Sequence, residues 1–416
     1  MGVSQLLVYG IIVLAFVGIA AGRLPRLAMN RASMALAAAI LLVAAGGIGA
    51  KEAFEAIDIE TIALLLAMML LVANLRLSGF FDAAGAKVLS MAQSPKAFLA
   101  VVVLSAGFLS ALFLNDTICI MLTPLVAEIA RRSGRDGKPY LIALATAANA
   151  GSCATAIGNP QNMLIASQSG ISFLEFAATL APPSLAAMLL CYLFTLIAFK
   201  AEFAEGALAA GGLRTGTASA KTGAVDKRLM AKSLAASALL LVLLALGVRT
   251  SIAALAAACV LMITRRINPE KVFAEVDFSL LVFFSGLFVL TSAVARTPLF
   301  SRAMQAVLPA LDKPGAIFAG VVALASNLVS NVPAVMLLSP VAKGFSDPNT
   351  GWLMLAMAST YAGNLTLLGS VANLIVAEQG EKAGFRVSFV DYLKVGLPVT
   401  LASVAAGTAW VSFARG

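Results

Sequence analysis

Two stretches of this chain repeat each other, and both lie inside apolar segments. Residues 115–124 read Asn-Asp-Thr-Ile-Cys-Ile-Met-Leu-Thr-Pro, and residues 331–340 read Asn-Val-Pro-Ala-Val-Met-Leu-Leu-Ser-Pro. Each opens on Asn, runs through apolar residues and ends on a hydroxyl residue and Pro. A second pair follows. Thr155, Gly158, Asn162 and Gln168 recur as Thr366, Gly369, Asn373 and Gln379 at identical internal spacing. Polar, Gly-broken stretches at matching positions of two hydrophobic halves point to a binding site built between inverted repeats in a membrane.

The chain is 61% hydrophobic and 12% charged over 416 residues. A soluble domain would carry about 25% charged residues. The fold class expected is therefore an all-α polytopic membrane protein. The net charge of +9 does not indicate nucleic acid, because the basic residues cluster at the ends of apolar runs rather than along one face. Cys119, Cys153, Cys191 and Cys259 occur singly, without a CxxC pair, and the chain has no His. Neither a disulfide framework nor a metal site is indicated, and no cofactor is implied. Proton handling then falls to carboxylates, ahead of Lys or Tyr. The first apolar run, residues 3–21, is followed by Arg23, Arg26 and Arg31. That order is the reverse of a cleaved signal, and it predicts a retained span with its N-terminus outside.

Runs close to the length needed to cross the apolar core of a bilayer lie near 3–21, 33–50, 60–77, 176–199, 229–247, 250–264, 278–295 and 391–413. Four further segments are apolar but interrupted, at Asn115-Asp116-Thr117, Asn149 through Asn162, Ser326 through Asn331, and Asn364 through Asn373. Segments 97–132 and 315–345 read as re-entrant hairpins, and 139–168 and 352–379 as single broken spans, for about 10 spans in all. The repeat extends upstream: Asp58 opens a span reaching Phe80-Phe81, and Asp277 opens one reaching Leu299-Phe300. The separation between copies is 219 residues at the Asp, 216 at the Asn motif and 211 at the Thr-Gly-Asn motif. A slowly shrinking offset fits one duplication with small deletions.

Five crossings separate residue 33 from its counterpart near 250. An odd number makes the second copy inverted, an inverted-topology repeat. The expected organisation is an N-terminal span (1–32), repeat 1 (33–199), a linker (200–228), a connecting span (229–248) and repeat 2 (249–416). About 22 Lys and Arg then fall inside and about 7 outside, the direction of the positive-inside rule. The Ala-, Gly-, Thr- and Ser-rich stretch 200–228 reads as a flexible cytoplasmic linker. The expected location is the plasma (inner) membrane, multi-pass in the bilayer.

Irregular backbone at membrane depth must line a cavity or be buried in protein. Half-helix N-termini there offer free N–H donors suited to oxyanions or hydroxyls. Asn115, Thr117, Asn149, Ser152, Thr155, Asn159, Asn162, Ser330, Asn331, Asn364, Thr366, Ser370 and Asn373 are the candidate substrate-binding side chains. Gly151, Gly158, Gly363 and Gly369 would let backbone approach a ligand closely. The competing explanation is that small and polar residues only pack helices together.

Asp116 stands apart as the acidic residue at the centre of an apolar segment. A carboxylate at mid-depth costs about 2.5–3.5 kcal/mol on insertion scales and reads as functional by default. Its counterpart is Val332, so only one half carries a titratable tip. Asp116 is the candidate for proton coupling. Two alternatives stay open: a neutral cap for the half-helix starting at Thr117, and a sodium site with Asn115 and loop carbonyls. No Lys or Arg is expected at the centre, which favours a substrate that is neutral or singly charged. Cys153 is a weak candidate thiol ligand for trivalent arsenic against a packing role.

These residues also carry a resemblance. Phe113-Leu-Asn-Asp-Thr117, Ala143-Leu-Ala-Thr-Ala-Ala-Asn149, Gly158-Asn-Pro-Gln-Asn162 and Gly363-Asn-Leu-Thr-Leu-Leu-Gly-Ser-Val-Ala-Asn373 resemble the ion transporter superfamily. That group includes arsenite efflux permeases, citrate–metal symporters and divalent-anion/sodium symporters. The nearest likeness is to plant silicon efflux transporters and their bacterial homologues, over nearly the whole chain apart from the linker.

The resemblance implies a scaffold and a moving transport part of elevator type, with the two tips bracketing the substrate. The divalent-anion symporters carry Ser-Asn-Thr at both tips. Here the first reads Asn-Asp-Thr and the second Ser-Asn-Val-Pro, which argues against sodium-coupled dicarboxylate uptake. The expectation is proton-coupled antiport that exports a small weak oxyacid such as silicic acid or arsenite. The alternative is a sodium-coupled symporter of a carboxylate or other oxyanion. A channel is a third class, distinguished by the absence of uphill movement. No nucleophile–base pair supports an enzyme. A homodimer is the default closed symmetry for an immobile scaffold.

Overall fold

The computed structural model describes residues 3–22, 29–89, 94–204, 225–263, 267–307 and 313–415. Arg23, Arg26 and most of the expected 200–228 linker lie outside these. The described residues are helical throughout, with no strand among them. In chain order the helices are α1 (Val3–Ala21), α2 (Arg31–Ala44), α3 (Ala50–Glu55), α4 (Ile59–Leu77), α5 (Phe80–Leu89), α6 (Pro95–Leu112), α7 (Asn115–Arg132), α8 (Gly137–Ser152), α9 (Pro160–Ser169) and α10 (Phe173–Ala198). There follow α11 (Lys227–Ala245), α12 (Thr250–Met262), α13 (Pro269–Ala274), α14 (Phe278–Ala295), α15 (Pro298–Val307), α16 (Ala316–Val329), α17 (Asn331–Gly344), α18 (Pro348–Ala362), α19 (Val371–Lys382) and α20 (Phe389–Arg415). Among the described residues, six helices (α4, α6, α10, α11, α14 and α20) are long and apolar enough to cross a membrane.

The helix starts follow from local chemistry. Asp58 accepts from the Thr61 N–H at 3.0 Å and opens α4. Asp277 does the same for Leu280 at 3.1 Å and opens α14. Ser94-Pro95, Asn159-Pro160 and Asp347-Pro348 each pair a side-chain cap with a Pro in the first turn. Proline there lacks only an N–H that has no helical partner anyway. The run from Asp58 does not continue to Phe81 as one span. It turns at Gly79, whose φ of 77° suits glycine, and α5 begins at Phe80. The matching run from Asp277 stops at Ala295, and α15 begins at Pro298.

The hydroxyl–Pro ending of the repeated motif is explained inside α7 and α17. Pro124 and Pro340 lie within these helices. The hydroxyl just before each donates to the carbonyl four residues back: Thr123 to Cys119 at 2.6 Å and Ser339 to Val335 at 2.7 Å. These are side-chain bonds to the carbonyl one position before the one that each proline leaves without an N–H, and such back-bonding beside a proline favours a bend.

Two groups of helices pack internally. One comprises α1, α2, α4 and α11 to α14, with α2 on α14 and α4 on α11 and α12. The other comprises α6 to α10 and α16 to α20, with α6 and α10 on α8, α10 on α20, and α16 and α17 on α18. The groups meet chiefly through α4 on α9 and α14 on α17, with α10 on α11, α12 on α9 and α1 on α16 at the margins. The second group is built around α8 and α18. Every residue from Pro139 to Ser152 and from Thr350 to Ala362 is buried. Alanine and glycine dominate the C-terminal half of α8, which lets backbones approach closely.

Candidate functional site

The chain breaks at four points, and the breaks are narrower than the polar stretches. α8 runs through Asn149 to Ser152, and α9 already includes Asn162, so the first gap is 153–159. The second gap is 363–370, between α18 and α19. The α6–α7 connection is only Phe113-Leu114, and α16–α17 turns on Ser330, whose φ of 83° is the one positive value outside glycine among the described residues.

Asparagine amides join these breaks. Asn373 donates to the carbonyls of Gly363 at 2.8 Å and Thr366 at 3.1 Å. Asn162 donates to Ser152 at 3.2 Å and Thr155 at 3.0 Å, at the same spacing along the chain. Carbonyls only accept, so the Asn373 NH2 must face them and its Oδ1 faces away. That Oδ1 accepts from Asn149 Nδ2 at 3.0 Å, and Asn364 Oδ1 accepts from the same nitrogen at 2.9 Å. Asn364 in turn donates to the Thr146 carbonyl at 3.0 Å. The remaining Asn149 Oδ1 accepts from Asn115 Nδ2 at 2.9 Å and from Ser370 Oγ at 3.2 Å. Asn115 Oδ1 is therefore the outward end of the chain of amides.

The contacts cross between halves in matching pairs. Asn159 donates to Thr360 at 3.2 Å, and Ser370 donates to Asn149. Asn159 corresponds to Ser370, and Asn149 to Thr360, at the 211-residue offset of the motif. Sequence reasoning missed Thr360, although that offset from Asn149 was a usable signal. Thr360 also receives Gln161 at 3.3 Å and donates to Asn162 at 3.4 Å. Asn327 was likewise missed; its NH2 donates to the Ala323 and Ala362 carbonyls at 3.1 and 2.9 Å.

The four glycines make their close approaches to protein. A Cβ at Gly151 would stand 2.2 Å from the Gly107 carbonyl, and one at Gly158 would stand 2.3 Å from that of Ser152. Gly363 and Gly369 are tight against Thr360 and Gly363 carbonyls in the same way. Ser152 donates to Asn149 O at 2.8 Å and accepts from Asn159 Nδ2 at 2.9 Å. Thr155 donates to the Ala111 carbonyl of α6. Thr366 enters the network through its carbonyl, which Asn373 holds. Most of the predicted polar residues are thus brought together, with their amides bonded to one another.

Ten buried side-chain oxygens have no partner among the described residues, and five of them cluster: Asn115 Oδ1, Asn331 Oδ1 and Asn327 Oδ1, which only accept, and the hydroxyls Ser110 Oγ and Ser326 Oγ. Ser110 and Ser326, like Asn115 and Asn331, are counterparts at the 216-residue offset. Buried groups without partners are uncommon and need a cause. Here they flank both tips.

Asp116 lies apart from the asparagines. α7 begins one residue earlier, at Asn115, with Leu114 in the cap position and no side-chain cap. Asp116 is therefore inside the first turn and does not cap a helix at Thr117. It lines a cavity of about 140 Å³ between α4, α7, α14 and α19, with Thr117, Arg76, Glu275, Asp277, Val371 and Ile375. Arg76 and Glu275 pair across it at 2.6 Å. Arg31 of α2 is in electrostatic range of Asp116, as is Asp277. The sequence assigned Arg31 to an inner loop; in the fold it lines a different cleft, with Leu374 and Glu378 of α19, and reaches Asp116 only through its field. Cys153 is buried in the first gap beside Tyr361 and Ser184.

The sequence model of a family described as "Citrate transporter" matches residues 12–362. The chain is 34% identical to "Silicon efflux transporter LSI3" of Oryza sativa subsp. japonica, over 92% of each chain. It is 27% identical to "Putative transporter arsB" of Dictyostelium discoideum, over 92% of this chain and 87% of that one. It is also 27% identical to "P protein" of Homo sapiens, over 87% of this chain and 54% of that one.

Proposed function

The chain belongs to the citrate transporter family, an integral membrane transporter and not an enzyme, and from that premise we propose that it is a proton-coupled efflux antiporter of a small, undissociated oxyacid such as silicic acid or arsenous acid. The observation that carries the substrate class is the set of unpartnered acceptors at the two tips. A neutral oxyacid presents hydroxyl donors, which acceptor oxygens bind. A di- or tricarboxylate presents only acceptors and would meet the three amide oxygens like with like, leaving only the Ser110 and Ser326 hydroxyls to donate to it. Asn115, Asn331, Asn327, Ser110 and Ser326 are the side chains assigned to substrate contact. Asn149, Asn162, Asn364 and Asn373 hold the tips in place. The relatives named for silicon efflux and as arsB agree with this class.

The proton is assigned to Asp116. It sits on a tip, at the boundary between the two helix groups, and its counterpart is Val332. Protonation from outside, release inside and loading of substrate at the tips make one exchange cycle. In this reading α6–α7 and α16–α17 are re-entrant hairpins whose tips stop beside the breaks of α8–α9 and α18–α19. The halves are inverted repeats in the plasma membrane, with the N-terminus outside. Three ion pairs support that topology, because each joins helix ends assigned to one side: Arg76–Glu275 at 2.6 Å inside, and Arg296–Glu52 and Arg415–Glu175, both at 2.7 Å, outside. The group containing α8 and α18 is the moving part, and the group containing α4 and α14 is the scaffold of an elevator. A homodimer would anchor the scaffold.

A second reading is sodium-coupled symport of an oxyanion, since acceptor oxygens also suit Na⁺. Internal pH recorded in proteoliposomes as silicic acid, arsenite or citrate is added separates the two. Proton movement with a neutral oxyacid in wild type, lost in Asp116→Asn, is the expected result. A response to citrate alone, dependent on sodium and indifferent to Asp116→Asn, would replace this reading with the second.

A further inference from the structure

We propose that Asp58 and Asp277 are the catches of two alternating latches between scaffold and moving part, the outer one closed in this structure and the inner one open. This rests on the inverted-repeat reading above. The two acids are counterparts, and each uses Oδ1 to cap its own helix, Asp58 to Thr61 and Asp277 to Leu280. That leaves Oδ2 free for a partner.

Asp58 has used it. Its Oδ2 lies 2.9 Å from Ser167 Oγ, whose one proton also has the Leu164 carbonyl in reach at 2.8 Å, and 3.5 Å from Gln168 Nε2, both at the end of α9. Thr61 Oγ1 lies 3.0 Å from the same Ser167 Oγ. One acid of the scaffold group thus clasps the end of a helix in the other group.

The counterparts of Ser167 and Gln168 are Glu378 and Gln379 at the end of α19. They are not clasped by Asp277. Glu378 pairs with Lys382 at 3.1 Å on its own helix. Gln379 lines a separate cleft of about 700 Å³, and its Oε1 is buried without a partner. Asp277 is exposed and faces the 140 Å³ cavity, with Val371 and Ile375 of α19 on its far side. Helix packing repeats the asymmetry: α4 packs on α9, whereas that cavity lies between α14 and α19.

Both latches cannot close together. α9 packs on α18, and α19 packs on α8 and α7, so the two helix ends belong to one body. A movement that carries Gln379 to Asp277 must draw Ser167 and Gln168 away from Asp58. The latches also differ in strength. Ser167 offers Asp58 a hydroxyl donor, whereas Glu378 would set a second carboxylate against Asp277, and like charges at close range disfavour contact. The outer latch is the stronger, which favours the state seen here, with the crevice beside Asp116 open on the cytoplasmic side.

The test reads conformation rather than flux. Ile375→Cys places a thiol on the inner crevice, in a background where the exposed Cys259 is replaced by Ser and the buried Cys119, Cys153 and Cys191 are kept. Labelling by a small charged thiol reagent from the cytoplasmic side is followed in inside-out vesicles. Asp58→Asn should lower the labelling rate by about threefold or more as the open-inward population falls. Ser167→Ala, which leaves the α4 cap intact, should move it the same way. Glu378→Ser restores the donor found in the outer latch and should lower labelling too.

A cross-linking arm uses Thr61→Cys with Ser167→Cys, and Leu280→Cys with Glu378→Cys. The first pair should join rapidly and the second slowly, and never both in one molecule. Unchanged labelling in all three variants, or ready joining of both pairs in one molecule, overturns the proposal. None of these readouts needs a transported substrate. A failure of the oxyacid assignment would leave them intact, and a failure of the latches would leave proton-coupled flux intact.

Discussion

The asparagine network and the Asp116 crevice lie on the same tip, one residue apart, and are built in opposite ways. In the network, each half mirrors the other: Asn162 and Asn373 hold carbonyls ten and seven residues back, and Asn159–Thr360 answers Ser370–Asn149. Nearly every amide there is bonded within the protein. In the crevice the halves differ. Asp116 faces Asp277 and Arg76–Glu275 across a cavity, while Val332 stands at the matching position. Mirrored, satisfied hydrogen bonds fix the relative positions of the segments that they join. Asymmetry with charge and space marks a boundary where something changes.

Five substitutions would break or sharpen that contrast. The largest loss of stability is expected for Asn149→Ala. It removes the hub and orphans groups on Asn115, Asn364, Asn373 and Ser370, at about 1–3 kcal/mol for each buried group left unsatisfied. The check is the thermal midpoint in detergent, which should fall so far that little monodisperse protein survives. Gly151→Ala comes next. Its Cβ would stand 2.2 Å from the Gly107 carbonyl, so backbone must shift, for about 1–3 kcal/mol and a lower thermal midpoint.

Asn162→Ala and Asn373→Ala form the third comparison. If the halves are equivalent in the network, each should cost about 1–3 kcal/mol, and the two unfolding midpoints should agree closely. A large gap between them would show that the mirrored bonds are unequal in energy. Asp116→Asn is expected to change the midpoint least, because the amide fills the same space beside the cavity. Its effect should appear in proton movement instead. A variant that loses stability on the scale of Asn149→Ala would make Asp116 part of the structural network after all.

The elements that read most directly from sequence are those whose cause is local. The helix starts at Asp58 and Asp277, and the hydroxyl–Pro steps at Thr123-Pro124 and Ser339-Pro340, involve residues within four positions of each other. The break limits were read too wide, because Asn149 and Asn162 are polar yet helical. Their amides find partners in another segment, so polarity did not require them to leave the helix. Thr360 and Asn327 escaped notice for a related reason. Thr360 is not identical to its counterpart Asn149, so the repeat pointed to the position but not to the hydrogen bonds, which only the partner across the break reveals.

The sequence by itself determined that this chain is an apolar, helical protein made of two related halves, with an acid on one tip only. Spacing, composition and the offset between copies are properties of the chain, and no folding is needed to read them. The tertiary structure alone decided which polar groups are bonded to each other and which are left over. It also decided that Arg31 and Asp277 come within electrostatic range of Asp116, and that Asp58 is clasped while its counterpart is not. Those outcomes depend on how two bodies of helices lie against each other. Two copies of one pattern give the same local geometry, but they need not occupy the same position against a neighbour.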